Sequence, residues 1–260
     1  MKALSHSWYM TVRHLRALMR QPWYIAITLV QPIIWLVLYG ELFKKVVELP
    51  GFRAGSYIDF LAPGVIVMTA LFASGWTGMG LIRDLNNGVM DRFLVTPVSR
   101  VALIAGRLAS LMVGNLIQTA ILVVLALIMG ARFIRGPGAL VGLGVLVGCS
   151  LLLAAAFGSL SLGLALTVRR EESVIGAVNL VLLPLVFLSP VFMDKSLVPR
   201  WILNVARFNP VSWTVDAGRG ALNSNPDWGL ILTHSLYLAV LAGVCIWVAT
   251  RAFRGYQRSV

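Results

Sequence analysis

Six long apolar runs constrain the fold of this chain more than any other feature of its sequence. They lie at residues 23–40, 60–81, 103–129, 139–168, 174–191 and 230–250. A run of about 20 apolar residues can cross a bilayer as a helix, because a helix bonds its backbone amides and carbonyls within the segment. Hydrophobic residues make up 58% of the chain and charged residues 12%, which excludes a disordered chain, a nucleic-acid-binding domain and an ordinary cytosolic enzyme. The runs therefore predict an all-α membrane protein with six transmembrane helices.

The charges between the runs predict the orientation of the chain. Six spans place both termini on one side of the membrane. If that side is the cytoplasm, the inside segments carry +9 of the net charge of +12 and the outside segments carry +3. Lys and Arg collect on the cytoplasmic side of membrane proteins. The basic balance therefore predicts cytoplasmic termini, and it argues against a nucleic-acid partner.

Two segments outside the runs have the character of interfacial helices. In residues 1–21, apolar side chains recur at helical spacing between arginines, at Leu4, Trp8, Val12, Leu15 and Met19. This pattern predicts an amphipathic helix on the inner membrane surface. Residues 192–229 are too polar to span a membrane and too rich in tryptophan to be a free loop. Short interfacial or re-entrant helices on the outer side fit that segment, because Trp prefers the headgroup level.

The sequence shows no catalytic or nucleotide-binding motif. It contains no phosphate-binding loop of the form G-x-x-x-x-G-K-[ST], and its three histidines lie apart from any nucleophile pattern. The G-x-x-G-x-G run at 75–80 has the wrong order for a dinucleotide site and predicts close helix packing. The spans hold no Asp, Glu or Lys, which argues against an ion-driven transporter or an ion channel. We expect no metal site and no resident cofactor on this chain.

Uncharged polar residues and prolines inside the spans have two interpretations each. The polar residues are Gln31, Thr69, Ser74, Thr77, Asn115, Gln118, Thr119 and Asn179. They either form hydrogen bonds between helices or line a cavity for an amphipathic solute. Pro32 and Pro184 each remove a helical hydrogen bond in mid-span, and the resulting kink is either a static packing feature or a hinge.

The inside loop at 83–100 is the most distinctive polar segment. Its apolar residues fall on one face of a short helix, at Val89, Met90, Phe93 and Leu94. Asp91 and Arg92 lie between them, and Thr96-Pro97 ends the helix. Such a helix either rests on the membrane surface or docks in a groove of a cytoplasmic partner.

Three stretches of the chain together resemble the permeases of type-2 ABC exporters. They are Leu61-Ala62-Pro63-Gly64, the loop ending at Arg92–Arg100, and the segment from Asn209 to Asp216 before the last run. The similarity extends over nearly the whole chain, and the subgroup it resembles is that of the daunorubicin-resistance-like bacterial exporters. It implies a multi-pass protein of the bacterial plasma membrane with one transmembrane domain over 1–260. Residues 1–21 would be a connecting helix, 83–100 a coupling-helix loop and 192–229 extracytoplasmic helices.

The resemblance also implies partners and site residues. Such permeases work as two copies with two cytoplasmic ATPase chains, so ATP and Mg would bind to the partner and this chain would be non-catalytic. The residues expected at the ATPase interface are Asp84, Asn86, Asn87, Met90, Asp91, Arg92, Phe93, Thr96, Pro97, Arg169, Glu171 and Glu172. Those expected along the substrate path are Thr69, Ser74, Asn179 and Phe187, with Pro32 and Pro184 as hinges.

We consider three functions for a chain with these sequence features. The first is an exporter permease that moves a hydrophobic or amphipathic solute, such as a drug, a lipid or a lipid-linked glycan, because the spans lack buried charge. The second is a membrane-embedded enzyme, which would need a polar constellation inside the bilayer. The third is a scaffold subunit that docks a cytoplasmic partner without transporting anything.

Overall fold

The computed structural model describes residues 22–48, 56–87, 100–132 and 138–258, and all regular secondary structure in these ranges is helical. The α-helices longer than one turn are α1 (Pro22–Ile34), α2 (Tyr57–Gly75), α3 (Thr77–Asn86), α4 (Arg100–Ile128), α5 (Ala139–Val168), α6 (Glu171–Phe187), α7 (Arg200–Ala206), α8 (Pro210–Leu222) and α9 (Trp228–Arg258), and short 3-10 helices lie at Lys44–Glu48 and Lys195–Leu197. The predicted connecting helix at 1–21 and most of the predicted coupling loop lie outside the described residues.

Each of the six apolar runs contains helical structure, which confirms the all-α class. Four helical stretches are long and apolar enough to cross a membrane: Tyr57–Asn86, Ala105–Ile128, Ala139–Val168 and Trp228–Phe253. The helices at the first and fifth runs are shorter. The apolar part of the first is Ile27–Leu42, and α6 has 17 residues.

Several predicted boundaries differ from the structure. The first run becomes α1, then a π-helical segment at Trp35–Tyr39, then one turn at Gly40–Leu42. Pro32 lies in α1, where its missing amide removes one hydrogen bond to the preceding turn. The helix of the fifth run, α6, begins three residues earlier than predicted and ends at Phe187, four residues before the predicted end. The second run is two helices, α2 and α3, with a break at Trp76.

Helix α5 is the centre of the bundle. Its small and apolar residues surround the whole helix, and it packs against α2, α3, α4, α8 and α9. A methyl group on Gly142 would overlap the carbonyl of Ala221 in α8, and one on Gly218 would overlap Leu146. Such contacts let two backbones approach closely, as small residues do between helices in membranes.

The turn between α5 and α6 is only two residues long. Arg169 adopts a left-handed conformation with φ of 56°, and its amide donates to the Ala165 carbonyl at the end of α5. Arg170 is extended and precedes α6, whose first turn carries Glu171 and Glu172. Acidic residues at a helix N-terminus are stabilised by the positive end of the helix dipole.

Helices α1, α4, α6 and α9 expose large apolar side chains on the outside of the bundle. Trp23 is 79% exposed, Leu180 76% and Leu232 72%. In a water-soluble domain so much apolar surface would be a binding or aggregation site. Here it matches the surface that a lipid-embedded bundle presents to its surroundings.

Candidate functional site

Charged residues meet where α3 ends and α4 and α6 begin, a region we call the charged end. Arg107 of α4 pairs with the Asp84 carboxylate of α3 and also donates to the Gly80 carbonyl at 3.4 Å. Arg83 Nε of α3 lies 3.5 Å from Glu171 Oε1 of α6. Helix α3 is therefore tied to two neighbouring helices at the end that residues 88–99 follow in the chain.

The two ion pairs differ in their exposure to solvent. The side chains of Arg107 and Asp84 are 13% and 25% exposed, so their attraction is only partly screened. Arg83 is 66% exposed, and an exposed pair of this kind contributes little to stability. The Asp84–Arg107 pair is accordingly the stronger link between α3 and the bundle.

The structure places part of the predicted ATPase interface at this charged end. Asp84 and Asn86 lie in the last turn of α3 and Asn87 follows it, while Glu171 and Glu172 open α6. Arg169 lies in the turn before them. The structure thus brings these two parts of the predicted interface to the same end of the bundle. The other predicted interface residues lie outside the described residues, and they are Met90, Asp91, Arg92, Phe93, Thr96 and Pro97.

Sequence reasoning did not pair Arg83 and Arg107 with their acidic partners. The signal was present, because Arg107 is the only charged residue inside any of the predicted spans. An arginine in such a position usually has a specific partner. The sequence does not show which turn of α4 packs beside the end of α3.

The predicted substrate-path residues fall in two different environments. Thr69 and Ser74 are buried in α2, and each donates to a carbonyl of its own helix, Val65 at 2.8 Å and Leu71 at 2.6 Å respectively. On α6, Asn179 is half-buried and Phe187 is 63% exposed. The first pair is thus bonded within its own helix, whereas the second lies toward the surface of α6. The predicted hinges differ similarly, since Pro32 is buried and Pro184 is exposed.

The joint between α2 and α3 is held by one side chain of α5. The Ser161 hydroxyl donates to the Gly75 carbonyl at the end of α2 and accepts from the Gly78 amide of α3, the latter at 2.9 Å. A methyl group on Gly78 would overlap the Ser161 backbone. The glycines of the G-x-x-G-x-G run are therefore packing residues, as predicted, but the role of Ser161 was not foreseen.

At the opposite end of the bundle, Asn209 joins the end of α6 to the start of α8. Its Oδ1 accepts from the Val211 amide at 2.9 Å, which caps α8. Its Nδ2 donates to the carbonyls of Leu185 at 2.7 Å and Leu188 at 3.0 Å. These carbonyls lie at the end of α6, where the helix leaves such groups without partners. The motif beginning at Asn209 is thus a structural connection between two helices.

Arg219 of α8 forms a second connection at that end. Its guanidinium donates to the carbonyls of Phe60 at 3.0 Å, Val191 at 2.8 Å and Pro190, and it lies 3.5 Å from the centroid of the Phe60 ring. Burial lowers the pKa of Arg219 to about 9, while the nearby carboxylate of Asp216 favours the charged form. The group therefore stays charged at neutral pH, with its donors directed at backbone oxygens.

Asp216 also binds Lys195 in the outer segment. Lys195 Nζ lies 2.6 Å from Asp216 Oδ2. Trp213 on the same helix donates its indole N–H to the Arg207 carbonyl at 2.7 Å, and its ring packs against Tyr237 of α9 with centroids 5.3 Å apart. Helix α8 is consequently bonded to the segments on both sides of it in the chain.

Comparison with known proteins assigns the chain to a family. The model of the ABC-2 type transporter family matches residues 6–223. The chain is 30% identical over 211 residues to a protein of Porphyra purpurea named as a transport permease, ycf38, which covers 80% of this chain and 70% of that protein. The resemblance drawn from the three sequence stretches is confirmed.

Two further relatives carry the names of drug-resistance permeases. The daunorubicin resistance ABC transporter permease protein DrrB1 of Streptomyces coeruleorubidus is 29% identical over 248 residues, which is 92% of this chain and 82% of that one. A doxorubicin resistance ABC transporter permease protein, DrrC, of Mycobacterium tuberculosis is 25% identical over 232 residues, with shares of 89% and 80%. The helical bundle with its apolar outer faces and the family match over most of its length show that this chain is a multi-pass membrane permease of the ABC-2 type transporter family.

Proposed function

We propose that this chain is the membrane-spanning subunit of an ATP-driven exporter, which moves a hydrophobic or amphipathic solute out of the cytoplasm or the inner leaflet. The observation that carries the proposal is the charged end. There the base of the loop 88–99 is tied through α3 to α4 and α6 by two ion pairs. A displacement of the loop by a partner would therefore reach two further helices of the bundle.

The proposed topology has six spans in one domain over residues 1–260, with both termini in the cytoplasm of a bacterium. The four long apolar helices supply four spans. Helix α1 with its π-helical extension and α6 with the turn after it supply the other two, since both helices present exposed apolar faces. The bias of positive charge toward the segments around 1–21, 83–100 and 251–258 supports this orientation.

The proposed partner at the charged end is a cytoplasmic ATPase chain that binds ATP and Mg. The coupling residues would be those named from the sequence, on the loop 83–100 and the α5–α6 turn. Arg169, Glu171 and Glu172 would stand beside the loop, because Glu171 is paired with Arg83 at its base. This chain would contribute no catalytic group to ATP hydrolysis, and two copies of it would work with two ATPase chains.

The proposed solute class follows from the chemistry of the spans. A path without Asp, Glu or Lys suits molecules with large apolar surfaces, because a buried charge without a partner is costly in lipid. The relatives named for daunorubicin and doxorubicin resistance support a drug of that kind. Asn179 and Phe187 would face the solute from the surface of α6, with Thr69 and Ser74 behind them in α2 and with Pro32 and Pro184 as hinges.

The experiment is reconstitution of the chain in lipid vesicles, alone and with its ATPase partner. We expect the chain alone to hydrolyse no ATP and the complex to export daunorubicin or a fluorescent phospholipid when ATP is added. Failure of the chain to bind any ATPase of this class would contradict the proposal. Binding with stimulated ATP hydrolysis but no movement of either probe would favour the scaffold function instead.

A further inference from the structure

The break between α2 and α3 takes two backbone groups out of the helical ladder. In a continuous helix the Gly75 carbonyl would accept from the Met79 amide, and the Gly78 amide would donate to the Ser74 carbonyl. Here the Met79 amide donates to the Trp76 carbonyl at 3.1 Å. The carbonyl of Gly75 and the amide of Gly78 are both bonded to the hydroxyl of Ser161 instead.

Ser161 satisfies both groups because a hydroxyl is at once a donor and an acceptor. Ser161 is 5% exposed and lies on the central helix α5, so a bonding partner from solvent is excluded. In a membrane an unbonded backbone group is expensive, and irregular backbone persists only where the protein supplies partners. The hydroxyl of Ser161 is therefore the group that stabilises the break at this position.

The break also lies where α2, α3, α5 and α6 meet. A methyl group on Gly75 would lie 2.6 Å from Leu182 Cδ1 and 3.0 Å from Val178 Cγ1, both on α6. Below the break, α3 carries Arg83 and Asp84, which pair with α6 and α4. Helix α3 is thus a short segment bonded to α5 at its upper end and to α4 and α6 at its lower end.

We propose that Ser161 is a positioning residue for energy coupling, which fixes the joint between α2 and α3 so that a displacement of α3 is passed to the bundle. Without the hydroxyl, the joint bends and absorbs the displacement. This proposal rests on the proposed function, because it presupposes that a partner moves the loop below α3. It names the residue that holds α2 and α3 together rigidly, so that they move as one unit.

The test compares Ser161→Ala with the matched control Ser159→Ala in the reconstituted complex of permease and ATPase. Ser159 lies on the same helix and is fully buried, but its hydroxyl donates only to the Ala155 carbonyl of its own helix, at 2.6 Å. Amide hydrogen exchange is measured at residues 76–80 and at the outer segment 194–209, with and without ATP. Both readouts are independent of the identity of the solute.

We expect the amides at 76–80 to exchange about tenfold faster in Ser161→Ala, because one backbone donor and one acceptor lose their partner. Ser159→Ala should match the wild type.

ATP should change the exchange of segment 194–209 in the wild type and in Ser159→Ala. In Ser161→Ala that change should be largely lost while ATP hydrolysis continues. Ser161→Cys, with a weaker donor and acceptor, should give an intermediate result and serves if the alanine variant does not fold.

Two results would overturn the proposal. Unchanged exchange at 76–80 in Ser161→Ala would show that the hydroxyl does not hold the joint. If exchange at 76–80 is faster in Ser161→Ala but the ATP response at 194–209 is unaltered, Ser161 has a structural role and no role in energy coupling. If the wild-type complex itself shows no ATP response, the proposed function fails, and that failure is visible in the wild type before any variant is compared.

Discussion

At the scale of single residues, Arg219 shows how a charged group is accommodated in so apolar a chain. Its donors are directed at the carbonyls of Phe60, Pro190 and Val191, which belong to two segments far from it in sequence. Gly64 leaves the space for it, since a methyl group there would lie 2.8 Å from the Val191 oxygen and 3.2 Å from Nη2 of Arg219. A partly buried cation of this kind stabilises a structure only while its partners remain in place.

Replacement of Arg219 should accordingly be severe. Arg219→Met leaves buried carbonyls without donors and should lower the free energy of unfolding by about 2–4 kcal/mol. The matched control is Arg207→Met, an exposed arginine of the same outer segment, which should change it by less than about 0.5 kcal/mol. Thermal unfolding in detergent measures both, and equal midpoints would contradict the structural role of Arg219.

The left-handed conformation of Arg169 gives a second prediction at this scale. Glycine adopts positive φ without a steric penalty, whereas a β-branched residue is strained there. Arg169→Val should have a free energy of unfolding about 1–2 kcal/mol lower than that of Arg169→Gly, because both variants lose the arginine side chain and only valine is strained at positive φ. The comparison uses the same unfolding measurement. A valine variant as stable as the glycine variant would show that the turn does not need the left-handed region.

At the scale of elements, α3 is the short helix that side-chain bonds hold to its neighbours at both of its ends. The helix is short and is separated from α2 by the break at Trp76. Its position in the bundle therefore depends on Ser161 above and on the ion pairs with α4 and α6 below. The shielded pair Asp84–Arg107 should contribute more to this position than the exposed pair Arg83–Glu171.

Double-mutant cycles can rank the two pairs. The variants Asp84→Asn and Arg107→Gln, alone and combined, should give a coupling energy of about 1–2 kcal/mol in thermal unfolding. Arg83→Gln and Glu171→Gln should give about 0.3 kcal/mol, as expected of an exposed pair. The reverse order would mean that α3 is anchored mainly to α6.

At the scale of the whole molecule, the chain is a helical bundle with α5 at its centre and apolar faces outside. Its two ends differ in chemistry. The charged end carries Arg83, Asp84, Arg107 and Glu171, whereas the other end carries the connections formed by Asn209 and Arg219. The proposed orientation places the charged end in the cytoplasm.

Cysteine labelling tests this orientation. The native cysteines, Cys149 and Cys245, are buried and should not react with a membrane-impermeant maleimide. Asn87 and Ser196 are exposed at opposite ends of the bundle. In intact cells Ser196→Cys should be labelled, and Asn87→Cys should be labelled only after the membrane is opened. Labelling in the reverse order would overturn the orientation proposed from the charges.

The amino-acid sequence alone determined where the helices form, because lipid leaves a helix as the simplest way to bond the backbone of a long apolar run. The run at 139–168 coincides residue for residue with α5. The tertiary structure decided where those helices break and what stabilises the breaks. Ser161 lies 83 positions from Gly78, and Arg219 lies 159 positions from Phe60. Partners so distant are brought together by the packing of whole helices, which the pattern of any one segment does not contain.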